Sequence, residues 1–147
     1  MPLPDPKPGL VISYAYLWHD EAKRGREEGV KDRPCLIVGA QAKEEATTVM
    51  VMPITHTPPS RSDHAVPLSP ATKTRLGLDD QASWIVTTEY NRFNWPGYDV
   101  RPLPGQGSDR SYVYGVIPRG DLNRVREQVR SHIQERSIQK VQRDEPQ

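Results

Sequence analysis

"KDRPCLIVGAQAKEEATTVMVMPIT", residues 31–55, is the stretch on which the reading of the fold turns. Two apolar runs, 34–38 and 47–55, flank a polar connection at 39–46, the pattern of an antiparallel β-hairpin. In such a hairpin the start of the first strand faces the end of the second. Positions 33 and 55 are each eleven residues from Glu44, inside the predicted connection, so Arg33 and Thr55 are expected side by side at one end of the sheet. A bulge at Pro53 would shift that register by one. A guanidinium beside a hydroxyl suits the grip of a phosphate, the first as a permanently charged fork and the second as an orienting donor. Each residue also has a plainer reading, Arg33 as a surface charge and Thr55 as a β-branched strand residue.

Outward from the hairpin, residues 10–18, "LVISYAYLW", place larger side chains at 10, 12, 14, 16 and 18, a period of two that predicts a strand. Before it, "MPLPDPKPG" (1–9) alternates prolines and reads as an extended arm. Residues 19–32 are charged, hold two glycines and lack apolar periodicity, so a long exposed loop is expected there. After the hairpin, 64–70 offers a short strand, 71–80 a short helix or turn stopped at Gly77, 83–89 a strand and 111–118 the last strand. Asp121 then caps an expected helix with an apolar stripe of Leu122, Val125, Val129 and Ile133. Beyond Ser137 the chain is polar, and a frayed tail is expected over 137–147. The organisation is one domain, 10–136, between the arm and the tail. Its fold class is mainly β with a C-terminal helix, a small, bent antiparallel sheet or barrel.

Composition bounds the function. Twenty basic and nineteen acidic residues give a net charge of +1, so any polyanion contact must be local. The single cysteine, Cys35, sits in an apolar run and cannot form an internal disulfide, as suits a reducing compartment. Mean hydropathy is −0.75, no apolar run approaches the roughly 18 residues of a membrane span, and no signal-peptide core opens the chain; a cytoplasmic protein without membrane contact is expected. His56, His64 and Asp63 match no standard metal spacing. No Ser-His-Asp set, nucleophilic cysteine motif or glycine-rich phosphate loop is present.

The order "GLVISYAYLW … KDRPCLIV … VMVMPIT … VPLS … SW … YGVIPRGDLNRVREQV" resembles the MazF/PemK family of toxins from type II toxin-antitoxin systems. The likeness runs from about position 9 to 134, and its single pieces are weaker than their order and spacing. It implies an SH3-like barrel of the CcdB/MazF type. It further implies a homodimer, held in check by a small antitoxin, that cuts single-stranded RNA without a metal or other cofactor. In the family's reaction the ribose 2′-hydroxyl attacks the neighbouring phosphate, leaving a 2′,3′-cyclic phosphate and a 5′-hydroxyl. By the match, Arg33 stabilises the phosphorane and can protonate the leaving oxygen, Thr55 orients the phosphate, and Glu28, five residues before Arg33, is where several members carry a functional glutamate.

Further candidates surround that pair. Lys23, Arg24, Arg26 and Lys31 would make the preceding loop a basic flap over RNA with Trp18 at its root, unless its carboxylates neutralise it as a solvated charge run. His56, next to Thr55, is a candidate general base or a plain loop histidine. Where many members carry a D-Q-x-R/K-like stretch, this chain reads "TEYNRFNWPGYD" (88–99); Glu89, Asn91 and Arg92 could substitute, and Trp95, with Tyr90, Phe93 and Tyr98, could stack on bases or simply pack. An alternative in another class is a non-catalytic barrel that binds a peptide or antitoxin tail in the same groove, with Arg33 anchoring a carboxylate. The gyrase-poisoning branch of the fold relies on apolar C-terminal residues, and "RDEPQ" supplies none.

Overall fold

A computed structural model describes residues 5–25, 31–97, 99–103 and 111–143. The hairpin forms as its alternation dictates, with β1 (Leu10–Tyr14) on one flank: β2 (Arg33–Ala42) pairs antiparallel with β3 (Thr47–Thr55) and with β1. The register does slip, but between Ile37 and Gly39 and not at Pro53, which pairs with Cys35. Gly39 fits that spot because a Cβ there would lie 2.5 Å from Met50 Cε, so any larger residue would push the methionine tip aside.

Two strands share the far side of β3. β5 (Trp84–Val86) pairs with Ile54 and Thr55, and β6 (Glu89–Trp95) pairs with Thr47 to Val51. β4 (Ala65–Pro67) borders β5, and β7 (Val113–Val116) borders β1. β8 (Gln139–Gln142) runs parallel to β6. The eight strands form one mostly antiparallel sheet that does not close, with few helices, in keeping with the expected CcdB/MazF-like class.

Period-two alternation sends side chains to two cores. Ile12, Tyr14, Cys35, Ile37, Val49, Val51 and Phe93 fill one face, where Tyr14 stacks on Phe93 at 4.7 Å between centroids. Val11, Leu36, Met52, Ile54 and Ile85 fill the other. Burial on both faces is why all five residues of β1 are buried.

Four expectations are corrected. The charged segment after Trp18 opens with a short helix, α1 (His19–Lys23), where the Glu21 carboxylate accepts from Trp18 N at 3.2 Å. A second helix, α2 (Pro70–Leu76), bears out the short helix expected over 71–80: Ser69 caps it and Gly77 stops it at φ 69°, as that Ser-Pro start and Gly stop allow. The C-terminal helix, α3 (Arg119–Gln134), starts from Pro118; Asp121 is no cap but lies buried in the first turn, accepting from Thr72 Oγ1 at 3.0 Å and pairing with Arg124. Its inward stripe takes Val125 and His132, which is 3% exposed, while Ile133 is 57% exposed. His132 is held there by Asp63 O at 2.8 Å. Within the expected frayed tail, residues 139–142 instead form β8, with Val141 and, just after it, Arg143 buried; 144–147 lie outside the described residues. Among the described residues no helix is long and apolar enough to cross a membrane.

Candidate active site

The register that pairs Cys35 with Pro53, carried two residues outward, sets Arg33 across from Thr55. Both line a cavity of about 620 Å³, together with Trp18, Lys31, His56 and Asp79. β5 fixes the outer end of β3 from the other side, through the Thr55–Trp84 pair. The hairpin therefore delivers a guanidinium and a hydroxyl to one concave site.

The Arg33 guanidinium lies over the Trp18 indole, with Cζ 5.1 Å from the ring centroid. Its Nε is buried and has no hydrogen-bond partner among the described residues, and no carboxylate among them pairs with Arg33. A cation held by a ring face keeps its donor edge free for an anion, and partial burial strengthens that attraction. Thr55 Oγ1 accepts from Thr57 N at 3.2 Å, which leaves the hydroxyl proton free to donate.

His56 is exposed, and its Nε2 lies 2.9 Å from Asp79 Oδ2. Asp79 in turn accepts from the ammonium of Lys73 at 2.8 Å and from Gln81 N at 3.1 Å. The hydrogen bond from Lys73, chiefly, and that with His56 push the Asp79 carboxyl down to about 2. Lys73 itself is only 5% exposed and also donates to Ser83 Oγ at 2.8 Å and to Gln81 O. Sequence reasoning missed Lys73 and Asp79; the one usable signal was Gly77, whose helix stop turns the chain back so that two residues six apart can meet.

The other candidates scatter. Lys31 reaches the cavity, and Lys23 and Arg24 are exposed at the end of α1. Arg26 and Glu28 lie outside the described residues, as does Tyr98. Glu89 is half-buried beneath α1, where its Oε1 accepts from His19 N at 2.8 Å and from Tyr16 OH at 3.1 Å; burial pushes its carboxyl above the usual range. Asn91 is fully buried: its amide donates to Leu17 O at 2.7 Å and accepts from Leu17 N and from Arg143. It brackets β6 to the chain before α1. Arg92 and Trp95 sit toward the turn end of the hairpin, opposite Met50 and Thr47. At about 3.3 Å per residue that puts Trp95 roughly 26 Å along β3 from Thr55, too far to share a nucleotide with it. Phe93 is core, and Trp95 packs 6.2 Å from it. Cys35 is buried, its thiol pushed far up by desolvation, which excludes it as a nucleophile.

Residues 15–93 match the family described as PemK-like, MazF-like toxin of type II toxin-antitoxin systems, just over half of the chain and all of the cavity lining except Tyr114. No curated protein matches the chain. With the matched segment carrying the hairpin, its Arg33–Thr55 end and the open mostly β sheet, the chain belongs to the PemK/MazF-like toxin family.

Proposed function

We propose that this protein is a metal-independent endoribonuclease that cuts single-stranded RNA to 2′,3′-cyclic phosphate and 5′-hydroxyl ends. The family supplies the coarse frame, since its toxins are endoribonucleases and work opposite an antitoxin. The observation that carries the finer reading is the Arg33 guanidinium, free of any carboxylate among the described residues, facing a cavity that it shares with the Thr55 hydroxyl.

A phosphodiester in that cavity meets the Arg33 fork and the Thr55 hydroxyl on its non-bridging oxygens. Both interactions strengthen as the phosphorane gathers negative charge, so they favour the transition state over the ground state. The 2′-oxygen attacks phosphorus while its proton passes to His56; the P–O5′ bond breaks, and O5′ takes a proton from water. Arg33 remains protonated throughout and acts by charge. Lys31 on the rim adds a cation for a neighbouring phosphate.

The test is incubation of purified protein with labelled single-stranded RNA in EDTA, with end-group analysis. Products with 5′-hydroxyl ends are expected, and Arg33→Ala should slow their formation by about 10²-fold or more at unchanged circular dichroism. A wild type that cuts nothing yet binds an antitoxin tail would replace this reading with the peptide-binding one.

A further inference from the structure

Resting on the cleavage reading, we propose that Asp79, anchored by the buried Lys73, holds His56 as its Nε2–H tautomer, so that Nδ1 is the nitrogen that takes the 2′-hydroxyl proton. Three features of the site carry this. The contact between His56 Nε2 and Asp79 is short, 2.9 Å to Oδ2 and 3.1 Å to Oδ1. Asp79 is a carboxylate over the whole neutral range, since its carboxyl is pushed down to about 2, and a carboxylate only accepts hydrogen bonds. Nε2 must therefore be the donor, which leaves the lone pair of a neutral imidazole on Nδ1.

The anchoring of Asp79 is elaborate for a surface carboxylate. Lys73 is 5% exposed, and its ammonium is fully engaged by Asp79 Oδ1, Ser83 Oγ and Gln81 O. A buried ammonium persists only where it is paired in this way. α2 fixes its origin, because Ser69 Oγ accepts from Thr72 N at 3.1 Å and the helix stops four residues after Lys73, at Gly77. Lys73 and Asp79 are thus positioning residues that act through His56. His56 follows Thr55 directly in the chain, so a base set by Asp79 stands beside the hydroxyl that orients the phosphate.

In the reaction, the O–H bond of the 2′-hydroxyl breaks as O2′–P forms, and the proton moves to Nδ1. The resulting imidazolium is stabilised by the Asp79 carboxylate and later returns the proton to solvent.

Two readouts test the proposal, and only one depends on cleavage. The ring nitrogens of His56 in ¹⁵N-labelled protein should show the Nε2–H tautomer, and Asp79→Asn should shift the population toward Nδ1–H, because an amide can donate to Nε2. In single-turnover cleavage, Asp79→Asn should lower kcat by about 10²-fold with KM within about two-fold, Asp79→Glu should recover part of the loss, and Asp79→Asn should cost nothing further in a His56→Gln background. An Nδ1–H ring in the wild type, an undiminished kcat in Asp79→Asn, or an equal cost with and without His56 would overturn it. A wild type inactive on RNA removes the cleavage reading by itself, and the tautomer measurement then decides whether Asp79 sets the ring.

Discussion

Asn91 shows how much one side chain can hold. Its amide satisfies both the N–H and the C=O of Leu17, at 2.9 and 2.7 Å, and so fixes the residue before Trp18, on whose ring Arg33 rests. Asn91→Leu would leave both backbone groups buried without partners, at about 1–3 kcal/mol each. A loss of about 2–6 kcal/mol in unfolding free energy is therefore expected in a urea titration, and a change below about 1 kcal/mol would show that water or a shifted backbone replaces the amide. Read in sequence, Asn91 passes for a base contact, because the partner it serves is 74 positions away. Arg33 and Thr55 were legible for the opposite reason: both belong to one hairpin, where register is local counting. The pairing of Lys73 with Asp79 lay between these cases, near in sequence but dependent on a helix that only the packed structure settles.

At the level of elements, the hairpin and β1 followed from alternation, whereas β8 did not. "QKVQ" offers one apolar residue, Val141, and its strand state comes from the exposed edge of β6 and from the anchor beyond it. That anchor is Arg143, whose buried guanidinium donates to Ala15 O and Asn91 Oδ1 at 3.0 Å, pairs with Asp99 at 2.8 Å and lies over Tyr14. Arg143→Met keeps the apolar stem and strands the Asp99 carboxylate, which is 17% exposed. Removing one member of a buried ion pair costs about 3–5 kcal/mol, so the urea midpoint should fall markedly at an unchanged slope. Removal of residues 138–147 should cost at least as much, since it also uncovers β6; a truncated protein as stable as the full chain would mean that β8 contributes nothing to the sheet. The misplaced end of the α3 stripe has a similar origin. Spacing alone allows position 132 or 133 to face inward, and the choice falls to His132 because Asp63 O is there to receive it.

For the whole molecule, the class could be read from the sequence because two-sided burial repeats the same alternation in several strands, but openness could not, since it depends on how β5 and β6 divide β3. The same folded architecture sets two carboxylates against each other in acid. Asp79, held at about 2, is lower than the unfolded value of about 3.9, so its contribution is full above about pH 4 and disappears as pH falls toward 2. Glu89 is the reverse case. Burial raises its folded value above the unfolded 4.3 or so, so the folded state holds the proton more tightly, and its contribution is greatest in acid and declines as pH rises through that range. Glu89→Gln keeps an oxygen to accept from His19 N and Tyr16 OH and removes the charge whose desolvation is unfavourable. The variant should therefore melt no lower than wild type at pH 7, by up to a few degrees higher, and its advantage should shrink as pH is lowered toward 4. Melting curves of both proteins at pH 4, 5, 6 and 7 measure this directly. A gap that stays constant across the series would show that the Glu89 charge places no burden on the fold, and a gap that widens in acid would reverse the sign assigned to its burial.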